Sequence, residues 1–129
     1  MKKLFLFATV ISLMAFSCEK EDEVHLLSSS ANTCTVNNPL EELTWLKAEV
    51  QRRQQNPSDV EKYFYIQQAE YNGQTVFIYN NCCPMCGTIV PVYNCQGERI
   101  LNLSDKPEEG KNLKNVRVLW KPSNYACVE

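Results

Sequence analysis

Six cysteines between Cys34 and Cys127, four of them inside the fourteen residues of "CCPMCGTIVPVYNC", constrain this chain more than any other feature. The span they cover is a small domain, which buries a modest share of its surface and often needs covalent staples. Cys82 and Cys83 are neighbours; in an extended chain their side chains point to opposite faces and reach different partners. Six cysteines allow fifteen pairings, and spacing does not choose among them. A Cys34–Cys127 bridge would span nearly the whole domain and contribute roughly 4–5 kcal/mol by chain-entropy reckoning.

Two other uses of the cluster compete with this clasp. "CPMC", Cys83 to Cys86, has the C-x-x-C spacing of thioredoxin-like oxidoreductases. There the first cysteine sits at a helix N-terminus, whose partial positive charge lowers the thiol pKa. Here "GTIVPVYNC" follows, β-branched and interrupted by Pro91, and no βαβ pattern surrounds the motif. A metal carrier is the second use. Cys82 or Cys83, Cys86 and Cys95 are candidate thiolate ligands for zinc, and Met85 with the thiolates suits copper. The spacing is one pair plus a straggler, and the sole histidine, His25, lies outside the domain. Structural bridges among Cys34, Cys82, Cys83, Cys86, Cys95 and Cys127 are the expectation, with thiol–disulfide exchange or metal carriage by CPMC as the alternative.

The remaining composition argues against catalysis. With no histidine from Cys34 onward there is no Ser-His or Cys-His pair. Glu41-Glu42 open a helix and Glu108-Glu109 sit in a polar loop, so neither pair flanks a cleft. Four glycines make no phosphate-cradling loop. No cofactor is expected, and the chain reads as a non-enzyme. Its basic residues form no stripe beyond Arg52-Arg53, so nucleic acid is not the expected partner.

Local patterns predict an α+β domain. "NNPLEELTWLKAEVQRRQQNP" carries Asn38 as N-cap, Pro39 at the first helical position, acidic residues early, Arg52-Arg53 late and Pro57 as a stop. Leu43, Leu46 and Val50 share one face, with Leu40 near its edge. Trp45 projects from nearly the opposite side, where it covers a second apolar surface or acts as a binding hot spot; packing is favoured. "VEKYFYIQQAEYNGQTVFIYNNC" reads as a β-hairpin about Asn72-Gly73, which suit a tight I′ turn. That turn sets Ile66 opposite Tyr79 and Gln68 opposite Phe77, on the face that also holds Phe64 and meets the helix. Pro91 cannot donate to a ladder, which predicts an edge strand or a bulge for "TIVPVYN". "ERILNL" follows as a short strand after a turn at Gly97, and "SDKPEEGKNLKN" as a polar connection. "VRVLWK" alternates Val116, Val118 and Trp120 inward as a half-buried strand. The expected architecture is one N-terminal helix packed on a small antiparallel sheet of about four strands, stabilised by disulfides.

Ahead of that domain, "MKKLFLFATVISLMAFSC" has two lysines, an apolar run from Leu4 to Phe16 and a small residue before Cys18. This is the pattern of a secretory signal, and the run is shorter than the roughly 20 residues of a spanning helix. Ala15-Phe16-Ser17-Cys18 resembles a bacterial lipobox, which implies lipid attachment at Cys18. Setting Cys18 aside leaves an even six cysteines in the domain. Multiple acyl chains, each contributing about 0.8 kcal/mol per buried methylene, would anchor the protein firmly to a membrane. The expected organisation is a signal peptide over 1–17, an acidic and Ser-rich tether over 18–33, and one domain over 34–129. Past the signal the chain holds eleven basic and fifteen acidic residues, a net charge of −4.

Lys20-Glu21-Asp22 resembles the surface-export signal of Bacteroidetes-type lipoproteins. Together with the lipobox, the "LTWLKAEV" helix, the "YNGQTVFIYNNCC" hairpin and the "VYNCQGE" turn, it makes the chain similar to a family of small uncharacterised lipoproteins of that type, over residues 1 to about 100. The resemblance implies an address and no activity: an outer-membrane lipoprotein on the surface or periplasmic face, with an unknown protein or small-molecule partner. An exposed rigid loop at Pro84-Met85 would suit an inhibitor's inserting element.

Overall fold

The computed structural model describes residues 34–87 and 89–128. The signal peptide, Cys18, the tether and its Lys20-Glu21-Asp22 lie outside the described residues. Two helices lead into a five-stranded antiparallel sheet: α1 (Pro39–Glu42), α2 (Thr44–Gln55), β1 (Phe64–Tyr71), β2 (Gln74–Asn81), β3 (Pro91–Tyr93), β4 (Arg99–Asn102) and β5 (Leu113–Trp120). The sheet order is β4-β3-β2-β1-β5.

The mixed α+β class agrees with the sequence, whereas the single helix and the four strands need correction. At Leu43 the backbone leaves the helical region (φ −87°, ψ 102°), and its N–H closes α1 on the Pro39 carbonyl. The Glu42 carboxylate accepts a hydrogen bond from the Asn38 N–H at 2.7 Å and satisfies that donor at the start of α1. Across the break, Leu40, Leu43 and Trp45 all pack against the same apolar cluster as Leu46 and Val50.

The hairpin has the expected register. Asn72 (φ +50°) and Gly73 (φ +77°) make the turn, and Ile66 faces Tyr79 while Gln68 faces Phe77. Leu46, Val50, Ile66 and Phe77 form the core between α2 and the sheet. A second core lies on the opposite face, because Ala69, Val76, Ile78 and Val92 are also buried. Leu101 of β4, Leu113 of β5 and Leu103 in the connection between them pack against it.

Two strand expectations need correction. β3 is an inner strand and not an edge, hydrogen-bonded to β2 and β4, although it contains Pro91. Proline is tolerated because it is the first residue of that strand. The bulge, the other expectation for this segment, has a counterpart in the register shift between Val92 and Tyr93 in the β3–β4 pairing. In β5, Val116 and Val118 are 47% and 51% exposed and do not turn inward. One extra residue lies in β5 between the pairs Gln68–Arg117 and Glu70–Lys114, and another, Leu119, between Gln67–Val118 and Ile66–Trp120. These bulges break the alternation, and the second lets consecutive Leu119 and Trp120 both reach the helix-side core. Bulges with Lys114 and Arg117 also blunt this sheet edge.

Candidate functional site

The six domain cysteines pair as Cys34–Cys95, Cys82–Cys127 and Cys83–Cys86. Adjacent Cys82 and Cys83 reach different partners, as their geometry requires. The Cys34–Cys127 pairing does not form, because each end of the domain is tied to the sheet separately. Cys34 joins the turn after β3, 61 residues on, and Cys82 at the end of β2 joins the C-terminal tail 45 residues on. The tail is also stitched by the Ala126 N–H to the Lys62 carbonyl and by Tyr125 edge-on to Tyr65. Chain-entropy reckoning assigns each long bridge about 4 kcal/mol. Cys83–Cys86 spans three residues, and the same reckoning leaves it about 2 kcal/mol or less. All six domain cysteines are bridged as expected, and loop length assigns most of the stabilisation to the two long bridges. Thiolate ligands for a metal would require opening these bonds.

Trp45, off the apolar stripe of the helix, is held from three sides. Its Nε1–H donates to the Cys95 carbonyl at 2.9 Å, and Phe77 meets it edge-on at 5.5 Å. Gly97 (φ +80°) approaches so closely that a Cβ there would stand 2.8 Å from Trp45 Cδ2. The buried Asn94 side chain shapes this turn, its Oδ1 accepting from the Gln96 and Glu98 N–H groups at 3.0 and 2.9 Å. The packing reading of Trp45 holds, and the indole also borders open space.

That space is a groove of about 420 Å³ lined by Trp45, Glu49, Arg53, Phe64, Tyr79, Ile89, Pro91 and Tyr93. Trp45, Glu49 and Arg53 recur every four residues along α2 and form one wall. Tyr79 and Tyr93 lie 4.6 Å apart on neighbouring strands and make the floor. Ile89 and Pro91, following the CPMC loop, make the opposite rim.

Charge in the groove is internally balanced. Arg53 bonds Glu49 at 2.7 Å and Glu61 at 2.5 Å, and its guanidinium lies 5.1 Å from the Phe64 ring centre and 5.5 Å from that of Tyr79. Burial alone would raise the Glu49 pKa, but Arg52 and Arg53 together outweigh it and hold the carboxyl below its ordinary 4.5. Burial pushes the Tyr79 phenol well above 10.0, with Glu49 and Tyr93 adding to the effect. Tyr79 thus stays a neutral hydroxyl, able to donate and accept.

Sequence reasoning placed Arg53 as a helix-end charge and missed this groove. The available signal was the second stripe of Trp45, Glu49 and Arg53, together with Phe64 and Tyr79 on the face that meets the helix. No family model, no characterised protein and no solved structure matches the chain.

Proposed function

We propose that this chain is a lipid-anchored outer-membrane lipoprotein, attached through Cys18, whose folded domain binds a partner protein. The aromatic groove carries this reading. Its volume falls at the small end of ligand sites, suited to one planar apolar side chain of a partner. Trp45, Tyr79 and Tyr93 offer ring surface, and rigid aromatic residues lose little entropy on binding. Ile89, 61% exposed, gives the groove an apolar rim that no part of the described domain covers. The lipobox, the acidic tether and the resemblance to small Bacteroidetes-type lipoproteins support the envelope address.

The test places a photo-crosslinking residue at position 89 of the full chain, expressed in a bacterial host that processes lipoproteins. A discrete adduct is expected from position 89 and none from position 117 on β5. Ile89→Asp should abolish binding of the identified partner and leave thermal unfolding unchanged. Equal crosslinking from both positions would sink the groove as a binding face. Loss of membrane association in Cys18→Ala tests the anchor separately.

A further inference from the structure

The Cys83–Cys86 bridge lies in a loop whose ends are secured without it. On one side Cys82 is bonded to Cys127, and its N–H donates to the Tyr63 carbonyl at 3.1 Å. On the other side the Val90 N–H donates to Asn102 Oδ1 at 3.1 Å and to Ser104 Oγ at 3.0 Å. Between these anchors Pro84 and Gly87 are exposed and Met85 is 94% exposed, while Cys83 and Cys86 are half-buried. Linkage then separates the three bridges: a bond that stabilises the fold is protected from reduction by the fold to the same extent. The two long bridges share that protection, and Cys83–Cys86 has little of it. A disulfide closing an exposed loop tip with weak structural coupling to the fold is the exchangeable kind.

We propose that Cys83–Cys86 is a thiol–disulfide exchange site that oxidises a dithiol on an exported client protein. This goes beyond groove binding and does not depend on it. A client thiolate attacks one sulfur of the pair; the Cys83–Cys86 bond breaks as a mixed disulfide forms, and the other sulfur leaves as a thiolate. The client's second thiolate then attacks the client sulfur of the mixed disulfide. The client departs with a new disulfide, and Cys83 and Cys86 are left reduced. Two electrons pass to the pair, and the two protons of the client thiols end on it through solvent. Exchange with a second, disulfide-bonded protein reverses these steps and restores the bridge.

The oxidised state of the pair sets the direction of this chemistry: Cys83 and Cys86 are joined in the folded domain, so the pair is the disulfide that is attacked and the client supplies the nucleophile. The chain after Cys86 enters β3 at Pro91, and no described helix begins at the motif to stabilise the departing thiolate, which makes the pair a mild oxidant and not a strong one.

The full chain, purified oxidised from the envelope, is equilibrated with graded ratios of reduced to oxidised glutathione, then alkylated and mapped by mass spectrometry. Two alkyl groups are expected on Cys83 and Cys86 at ratios where Cys34, Cys95, Cys82 and Cys127 carry none, with the circular dichroism spectrum unchanged. The oxidised protein should also convert a reduced dithiol peptide to its disulfide, one per protein. That turnover is lost in Cys83→Ser/Cys86→Ser, whose folding is checked by thermal unfolding. Neither Cys86→Ser nor Cys83→Ser, each left with one thiol and no bond to be attacked, should convert the reduced peptide. Opening of all three bridges at one ratio would overturn the proposal. So would a selectively opened pair that leaves the peptide reduced.

Discussion

Cys34 and Cys95 meet at a turn where Asn94, Gly97 and Trp45 are already locked together, whereas Cys83 and Cys86 meet across an exposed Pro84-Met85 tip. The first bridge ties the start of the domain to the sheet over 61 residues; the second ties a turn to itself. The bond is chemically the same in both places. What differs is how much chain each one restricts, and therefore how much of the fold depends on it. In this molecule a cysteine's role follows from loop length and from its neighbours' attachments.

Removing each bridge is the direct way to break this comparison. Cys34→Ser/Cys95→Ser should cost about 4 kcal/mol, read by thermal unfolding as a fall of about 20 °C. A fall of only a few degrees would mean that the Trp45 turn holds the N-terminus without the bond.

Gly97→Ala sharpens the same region from the other side. The residue has φ +80°, and the new Cβ would meet Trp45 Cδ2 at 2.8 Å. A destabilisation of about 2 kcal/mol is expected, together with a shift in tryptophan emission as the indole is displaced. Unchanged stability and emission would show that the turn yields easily.

Cys83→Ser/Cys86→Ser should cost less, about 2 kcal/mol as an upper bound, by denaturant unfolding with an unchanged m-value. A loss as large as that of the first pair would erase the distinction between the two regions.

The smallest effect concerns pH. Because the folded Glu49 pKa lies below its ordinary 4.5, its ion pairs stabilise the domain above that value, and the contribution is lost as pH falls through the folded pKa. Glu49→Gln should flatten this part of the stability-versus-pH curve below pH 4.5. It should leave the curve unchanged near pH 7 in shape, though shifted down by the lost ion pairs.

Much of the fold was legible where the instruction is local. Asn72-Gly73 specified the turn, and the turn specified the register that pairs Ile66 with Tyr79. Pro39 and the early glutamates marked a helix start, and Leu46 with Val50 marked its buried side. The break at Leu43 was not legible, because each residue around it is compatible with a continuous helix. It becomes visible only when Leu40, Leu43 and Trp45 are seen on one cluster. The exposure of Val116 and Val118 was equally hidden: an alternating pattern predicts one buried face, and two bulges on an edge strand cancel it. Tyr93, Ile89 and Arg53 join one groove from segments that share no local pattern.

By itself the sequence determined the hairpin and its turn, the α+β character, and the separate destinations of Cys82 and Cys83. These depend on backbone preferences and side-chain periodicity over a few residues. Tertiary structure alone decided which cysteines pair, that β3 lies inside the sheet despite Pro91, and that a second core and an aromatic groove exist. Those outcomes turn on distances between segments tens of residues apart, which arise only once the chain has packed.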